Sequence, residues 1–284
     1  RIPNKAGLTI RVPGKIVFLV PWPDHWLIGT TDAPFEGPAE HPAAGGWEVQ
    51  HLLDTVNATM DVDLTRADVV GTYAGLRPLI APSDGSTVKA SREHRVTVES
   101  NGVVRIAGGK YTTYRVMASD VIDAVLGGDA KARPSRTSDW RLIGAADADA
   151  RARIVAELMT IPAIAGLGAD VAVRLVDRHG TEAPGVVALG ADLGLLHRLV
   201  PDRVFLEAEI AWAVRHESAL SLDDALARRT RLAQELPDRG EAIAPRVAAI
   251  MGSELGWGET RQAREVEGYL ATARREFSVD QTGP

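Results

Sequence analysis

Ile106-Ala107-Gly108-Gly109-Lys110-Tyr111-Thr112-Thr113-Tyr114-Arg115 is the stretch on which the reading of this chain turns. A short apolar run enters two glycines, and Val116, Met117, Val121, Ile122, Val125 and Leu126 then recur at helical spacing. The pattern predicts a strand that passes through a Gly-Gly turn into the first turn of a helix. The unpaired N–H groups and the dipole of such a helix start favour an anion or a partly negative oxygen, and Lys110 adds a full positive charge there. Glycines also let a ligand approach the backbone closely. By spacing alone, a plain strand-to-helix turn that needs flexible residues is an equal reading. A P-loop is disfavoured, because Gly-x-x-x-x-Gly-Lys-Ser/Thr needs glycine where Val104 stands and a hydroxyl where Tyr111 stands.

Just upstream, Arg95 to Ser100 and Val103 to Ala107 flank Asn101-Gly102, which predicts a hairpin closed by a type I′ turn. Farther upstream, Ile16 to Val20 and Trp26 to Ile28 predict two strands joined through Pro21-Trp22-Pro23-Asp24. Between them and the hairpin, Trp47, Val49, Leu52, Leu53, Val56 and Met60 predict a helix lying on the sheet. Downstream, Gly127-Gly128-Asp129 is followed by a polar stretch, Lys131 to Ser138, beyond which strand signals fade. Helical periods cover residues 147–158, 171–178, 205–216, 222–229, 243–255 and 260–276. Gly180 is expected as a helix C-cap, and Ser221 with Asp224 as an N-cap pair. The fold class expected is therefore α+β followed by all-α, with no internal repeat.

The chain has 284 residues, of which 45% are hydrophobic and 25% charged, as in ordinary two-domain globular proteins. The absence of cysteine excludes disulfide frameworks, thiolate metal sites and cysteine nucleophiles, and points to a reducing compartment. A formal net charge of -6 gives no general pull toward nucleic acid, so an anion would have to be held by a local cluster. No run approaches the roughly 18 apolar residues of a membrane-spanning helix, and no basic-then-apolar leader opens the chain. The expectation is a cytoplasmic protein, soluble or at most peripheral on the inner face of the cell membrane.

Two further segments carry candidate ligand-binding residues. Gly71 to Leu79 reads as a strand ending at Arg77, whose backbone is held extended by Pro78. Ser91-Arg92-Glu93-His94 opens the hairpin. Arg77, Arg92 and Lys110 converging from three strand ends would hold a phosphate or carboxylate; taken singly, each arginine reads as a solvated or salt-bridged residue. Other patterns take bland readings. His216-Glu217 has no second histidine at the zinc-helix spacing, Arg228-Arg229-Thr230-Arg231 reads as a solvated helix end, and Trp22, Trp26 and Trp47 read as packing residues. No Gly-x-Ser-x-Gly elbow is present.

Val20-Pro21-Trp22, Ile28-Gly29-Thr30-Thr31-Asp32, Leu64 to Val70, Ala74-Gly75-Leu76-Arg77-Pro78-Leu79, Ser91-Arg92-Glu93-His94 and Gly108 to Arg115 occur in one order. Together these six blocks closely resemble the FAD-dependent, respiratory-type glycerol-3-phosphate dehydrogenases. The second half resembles that family's helical C-terminal domain at Ala208-Glu209, Ala213 to Glu217, Asp224 to Leu232 and Ile250-Met251.

The resemblance implies oxidation of sn-glycerol 3-phosphate at C2 to dihydroxyacetone phosphate, with hydride passing to FAD and electrons onward to a membrane quinone. It places Arg77, Arg92 and Lys110 around the substrate, and Gly108, Gly109, Lys110, Tyr111 and Thr112 at the pyrimidine edge of the flavin. The organisation implied is a D-amino-acid-oxidase-like substrate sheet with a flavin-facing helix over residues 1–128, a linker at 129–138 and a helical domain at 139–284. No Gly-x-Gly-x-x-Gly fingerprint occurs in the chain, so it reads as the C-terminal portion of a longer enzyme, holding FAD weakly or not at all by itself. The catalytic base is not assigned. A glycerol-3-phosphate oxidase or other flavin oxidase of the same fold, and a non-catalytic interaction fragment, stay open as alternatives, as does a homodimer. Nucleic acid and metal are not expected.

Overall fold

The computed structural model describes residues 2, 6–13, 15–22, 25–80 and 93–279. Strands β1 (Leu8–Val12), β2 (Lys15–Trp22) and β3 (His25–Gly29) form an antiparallel sheet in that order, with Ile10 opposite Val17 and Leu19 opposite Ile28. The alternation along β2 explains why one face is covered. Val17 and Leu19 are buried, while Ile16, Phe18 and Val20 stay nearly half exposed on the other side. Helix α1 (Gly46–Met60) lays Val49, Leu53 and Val56 on the buried face, where they pack with Ile10 and Leu64. Burying a side chain of this size contributes about 1.5–3 kcal/mol each. Trp47 departs from the packing role expected of it: it stands on the far side of α1 from Val49 and Leu53 and is 48% exposed. Trp26 does pack against this core, and Trp22 donates its ring N–H to Glu235 at 3.1 Å beneath the Arg231 guanidinium.

The segment Gly71 to Leu79 is not a strand, contrary to expectation. Within it, Thr72 N–H donates to the Phe277 carbonyl and its hydroxyl to the Ser278 carbonyl. The hairpin forms as β4 (His94–Val98) and β5 (Val104–Gly108), with His94 opposite Gly108 and Val96 opposite Ile106. Its turn is not type I′. Gly102 alone takes a positive φ, 84°; its N–H donates to Glu99 and the Glu99 N–H to Val103. The Asn101 side chain accepts the Val103 N–H at 3.1 Å, and this longer loop needs only one left-handed residue. Helix α2 (Tyr114–Leu126) follows a single 3-10 turn at Tyr111–Thr113 and lies on β4 and β5. Two 3-10 turns, Gly127–Ala132 and Thr137–Asp139, continue the chain.

Beyond them come α3 (Ala148–Leu158), α4 (Pro162–Leu167), α5 (Ala169–His179), α6 (Ala183–Leu193), α7 (Glu207–Glu217), a π-helical turn at Asp224–Arg229, α8 (Leu232–Glu235), α9 (Ala244–Leu255) and α10 (Glu259–Glu276). They surround one core that includes Leu175, Ile210, Leu226, Val247 and Met251. Gly180 closes α5 with φ 55° and donates its N–H to Val176, and Ser221 and Asp224 exchange the reciprocal bonds of a capping pair. The arginine run is only partly solvated: Arg228 pairs with Asp224, but Arg229 donates twice to the Glu217 carbonyl and so caps the end of α7. His216 stacks on Trp212. Residues 1–75 with 146–284 form one compact unit, and 76–145 a second.

One half-buried acid is under electrostatic stress. Burial pushes the Asp223 carboxyl up to about 6; Arg228 opposes the shift, and Glu276, Asp224 and Glu265 reinforce it. Its Oδ1 has no hydrogen-bond partner among the described residues. The folded state thus holds this proton more tightly than the unfolded chain, whose value is 3.8. The ionisation penalty is absent below the unfolded value and complete above the folded one. Asp223→Asn should raise the thermal midpoint at pH 8, and the gain should vanish near pH 4. A gain independent of pH would rule out ionisation as its cause.

Candidate functional site

The β5–α2 turn has the strand, Gly-Gly, helix form expected of it, and its geometry explains both glycines. Gly108 and Gly109 take φ values of 74° and 90°, which L side chains avoid. A Cβ at Gly108 would stand 2.5 Å from the Glu93 carbonyl oxygen and 2.9 Å from the Ile80 side chain. One at Gly109 would stand 2.5 Å from Met117 Sδ and 3.2 Å from His94 Cβ. The glycines are required by the protein's own packing, whatever ligand approaches.

Lys110 is extended and stands at the N-cap, with no side-chain cap bond. Its carbonyl accepts both the N–H and the hydroxyl of Thr113 at 3.0 Å. The N–H groups of Lys110, Tyr111 and Thr112 have no acceptor among the described residues, as expected of a helix start. Lys110, Tyr111 and Thr112 are exposed, Tyr111 to 91%. Three backbone donors and one ammonium therefore share a small exposed surface. That surface suits an oxygen-rich, electron-accepting edge or a phosphate.

Ile80, the residue after the Gly71–Leu79 segment, and Glu93, of the Ser91–His94 block, both abut Gly108. Arg77 is exposed, three residues before Ile80 and in the same unit; an extended tripeptide reaches about 10 Å at most. Arg92 lies outside the described residues. A pair that the motifs did not single out also flanks the turn: His94 Nε2 and Asp120 Oδ2 are 2.6 Å apart. Asp120 stands one helical turn after Met117, on the same side of α2, and that i, i+3 spacing was the available signal. Among the described residues no group of three or more acidic or histidine side chains is arranged to hold a metal ion, and no helix is long and apolar enough to cross a membrane.

Residues 135–262 match the family described as the C-terminal domain of alpha-glycerophosphate oxidase. Glycerol-3-phosphate dehydrogenase 2 of Mycobacterium bovis is 41% identical over 278 residues, covering 97% of this chain and 47% of that protein. The mitochondrial glycerol-3-phosphate dehydrogenase of Mus musculus is 34% identical over 265 residues, covering 89% of this chain and 35% of its own length. The chain thus spans under half the length of these relatives. The solved glycerol-3-phosphate dehydrogenase from Bacillus halodurans, complexed with FAD, shares the fold with a TM-score of 0.79 at 23% identity, over 100% of this chain and 56% of that one.

Proposed function

We propose that the chain is a counterpart of the C-terminal part of the glycerol-3-phosphate dehydrogenases it resembles, and that it serves the FAD-dependent oxidation of sn-glycerol 3-phosphate to dihydroxyacetone phosphate. The observation that carries the proposal to particular residues is the β5–α2 turn, where an exposed ammonium and three backbone donors without acceptors among the described residues stand together. This donor set fits a flavin. The N–H groups of Lys110, Tyr111 and Thr112 would hold the oxygen-bearing edge, and the α2 dipole would favour negative charge there. Bound FAD supplies a two-electron acceptor for the hydride lost from C2. Lys110, with Arg77 and Arg92, would bind the substrate phosphate, because charge-assisted bonds to a dianion are the interaction these side chains make best. No residue of the chain forms the usual pyrophosphate-binding Gly-x-Gly-x-x-Gly turn.

In this reading residues 1–128 contribute a substrate sheet and flavin-facing helix, 129–138 link, and 139–284 form the helical domain. The apolar surfaces left open support assignment to a larger flavin domain: Ile16, Phe18 and Val20 on β2, and Val116, Ile122 and Val125 on α2. Electrons would pass from the flavin to a quinone, with peripheral contact at the inner face of the cell membrane. The match to an oxidase family keeps oxygen as the second acceptor.

The test uses the product of the complete open reading frame that encodes these residues. Anaerobic glycerol 3-phosphate should bleach its visible flavin band. A colourless product, or a band that the substrate leaves unchanged, overturns the reading. Admitting air after bleaching separates the acceptors: rapid return of colour with stoichiometric peroxide marks an oxidase.

A further inference from the structure

We infer that the His94–Asp120 pair is a positioning device for the Gly108–Thr112 turn, holding Lys110 and the helix-start N–H groups in place. The inference rests on the proposed reading of that turn for its functional consequence, but its geometry stands independently. Two consecutive left-handed glycines make a junction with little intrinsic stiffness. Burial supplies only part of the missing restraint, since the described residues of 76–145 are at most half-buried. A pair of anchors on one side of α2 adds to it. Met117 lies against Gly109, and one turn further on Asp120 meets His94 at 2.6 Å.

His94 is itself fixed, because its backbone pairs with Gly108 in the β4–β5 ladder and its side chain is only 20% exposed. The hydrogen bond therefore ties α2 to the strand that pairs with the first glycine of the turn. Without it α2 would keep only its apolar packing on β4 and β5, with the flexible Met117 side chain as the contact at Gly109. Any swing of α2 displaces Lys110, which stands at its N-terminal end.

Asp120→Ala, Asp120→Asn and His94→Phe test this in the product of the complete reading frame, loaded with FAD. Asparagine can still accept the imidazole N–H; phenylalanine keeps the ring volume and removes the bond. Arg105→Ala, whose side chain pairs with Glu99 near the opposite end of the hairpin, is the control. Amide hydrogen exchange at Thr113 and Tyr114, whose N–H groups donate to the Lys110 and Tyr111 carbonyls, should quicken about tenfold in Asp120→Ala and His94→Phe, as the loss of one hydrogen bond would produce, with α5 and α9 unchanged. The KM for glycerol 3-phosphate should rise several-fold with kcat within about threefold, and Asp120→Asn should recover most of both losses.

Exchange at the wild-type rate in Asp120→Ala and His94→Phe overturns the inference, whatever the flavin does. Faster exchange with an unchanged KM overturns it too, because the pair would then be merely structural. A wild-type protein that never reduces flavin sinks the proposed reaction instead, and the exchange comparison still decides whether the pair holds the turn.

Discussion

Glu209→Ala should lower the free energy of unfolding by about 3–5 kcal/mol, because it breaks a buried ionic cluster and takes from Arg174 its carboxylate partner. Glu209 is 3% exposed in α7. One carboxylate oxygen lies 3.1 Å from Arg174 and 3.3 Å from His179, and the other accepts the Leu206 N–H at 2.9 Å. The latter bond also closes the start of α7. Burial by itself would push the Glu209 carboxyl up. The hydrogen bond with His179, the nearby Arg174 charge and the Leu206 N–H outweigh burial and hold it below its ordinary 4.5. A depressed carboxyl pKa stabilises the fold fully above the unfolded value, and that contribution is lost as pH falls through the folded one. Urea midpoints should therefore separate wild type from Glu209→Gln widely at pH 7, and the gap should narrow once the pH drops below 4.5. A gap of constant width would mean that shape rather than charge matters at this position.

Lys110→Ala should raise the KM for glycerol 3-phosphate by about 10- to 100-fold, the equivalent of the 1.5–3 kcal/mol typical of a hydrogen bond to a charged group. Its effect on folding should be small, since Lys110 is exposed and makes no ion pair among the described residues. That separation makes the variant informative: steady-state kinetics on the FAD-loaded product should shift while the thermal midpoint stays put. Arg77→Ala should move KM in the same direction. Wild-type KM in Lys110→Ala would remove the ammonium from phosphate binding and leave the turn only its backbone donors.

The elements legible in the sequence are those whose cause is local. β2 announces itself by two-residue alternation, and α5, α9 and α10 by three- and four-residue recurrence. The elements that escaped have non-local causes. α6, which lies outside the helical periods read from the sequence, contains Gly185 and Gly190, and both sit at contacts with other segments. A Cβ at Gly185 would stand 2.9 Å from the Trp212 ring, and one at Gly190 2.8 Å from Ala208 Cβ and 2.5 Å from Leu196. Glycine there permits close packing against α7. Gly71 to Leu79, strand-like in composition, finds no sheet neighbour among the described residues, and its Thr72 donors bond to the Phe277 and Ser278 carbonyls. Asn101-Gly102 marked the hairpin correctly but not its turn, because an Asn side-chain bond decided which residue went left-handed.

By itself the sequence determined the strand–Gly-Gly–helix form of residues 104–126, the capping at Gly180 and Ser221, the helical character of the second half, and the ordered motifs that place the chain beside the glycerol-3-phosphate dehydrogenases. Steric limits on φ, side-chain periodicity and capping bonds all act within about four residues, so a linear reading captures them. Tertiary structure alone decided that His94 meets Asp120 across 26 residues, that Glu209 is ringed by Arg174 and His179, and that Trp22 bonds to Glu235 across 213. Those pairings depend on the path of the whole chain, and a hydrogen bond needs its partners within about 3 Å, a proximity that no local pattern encodes.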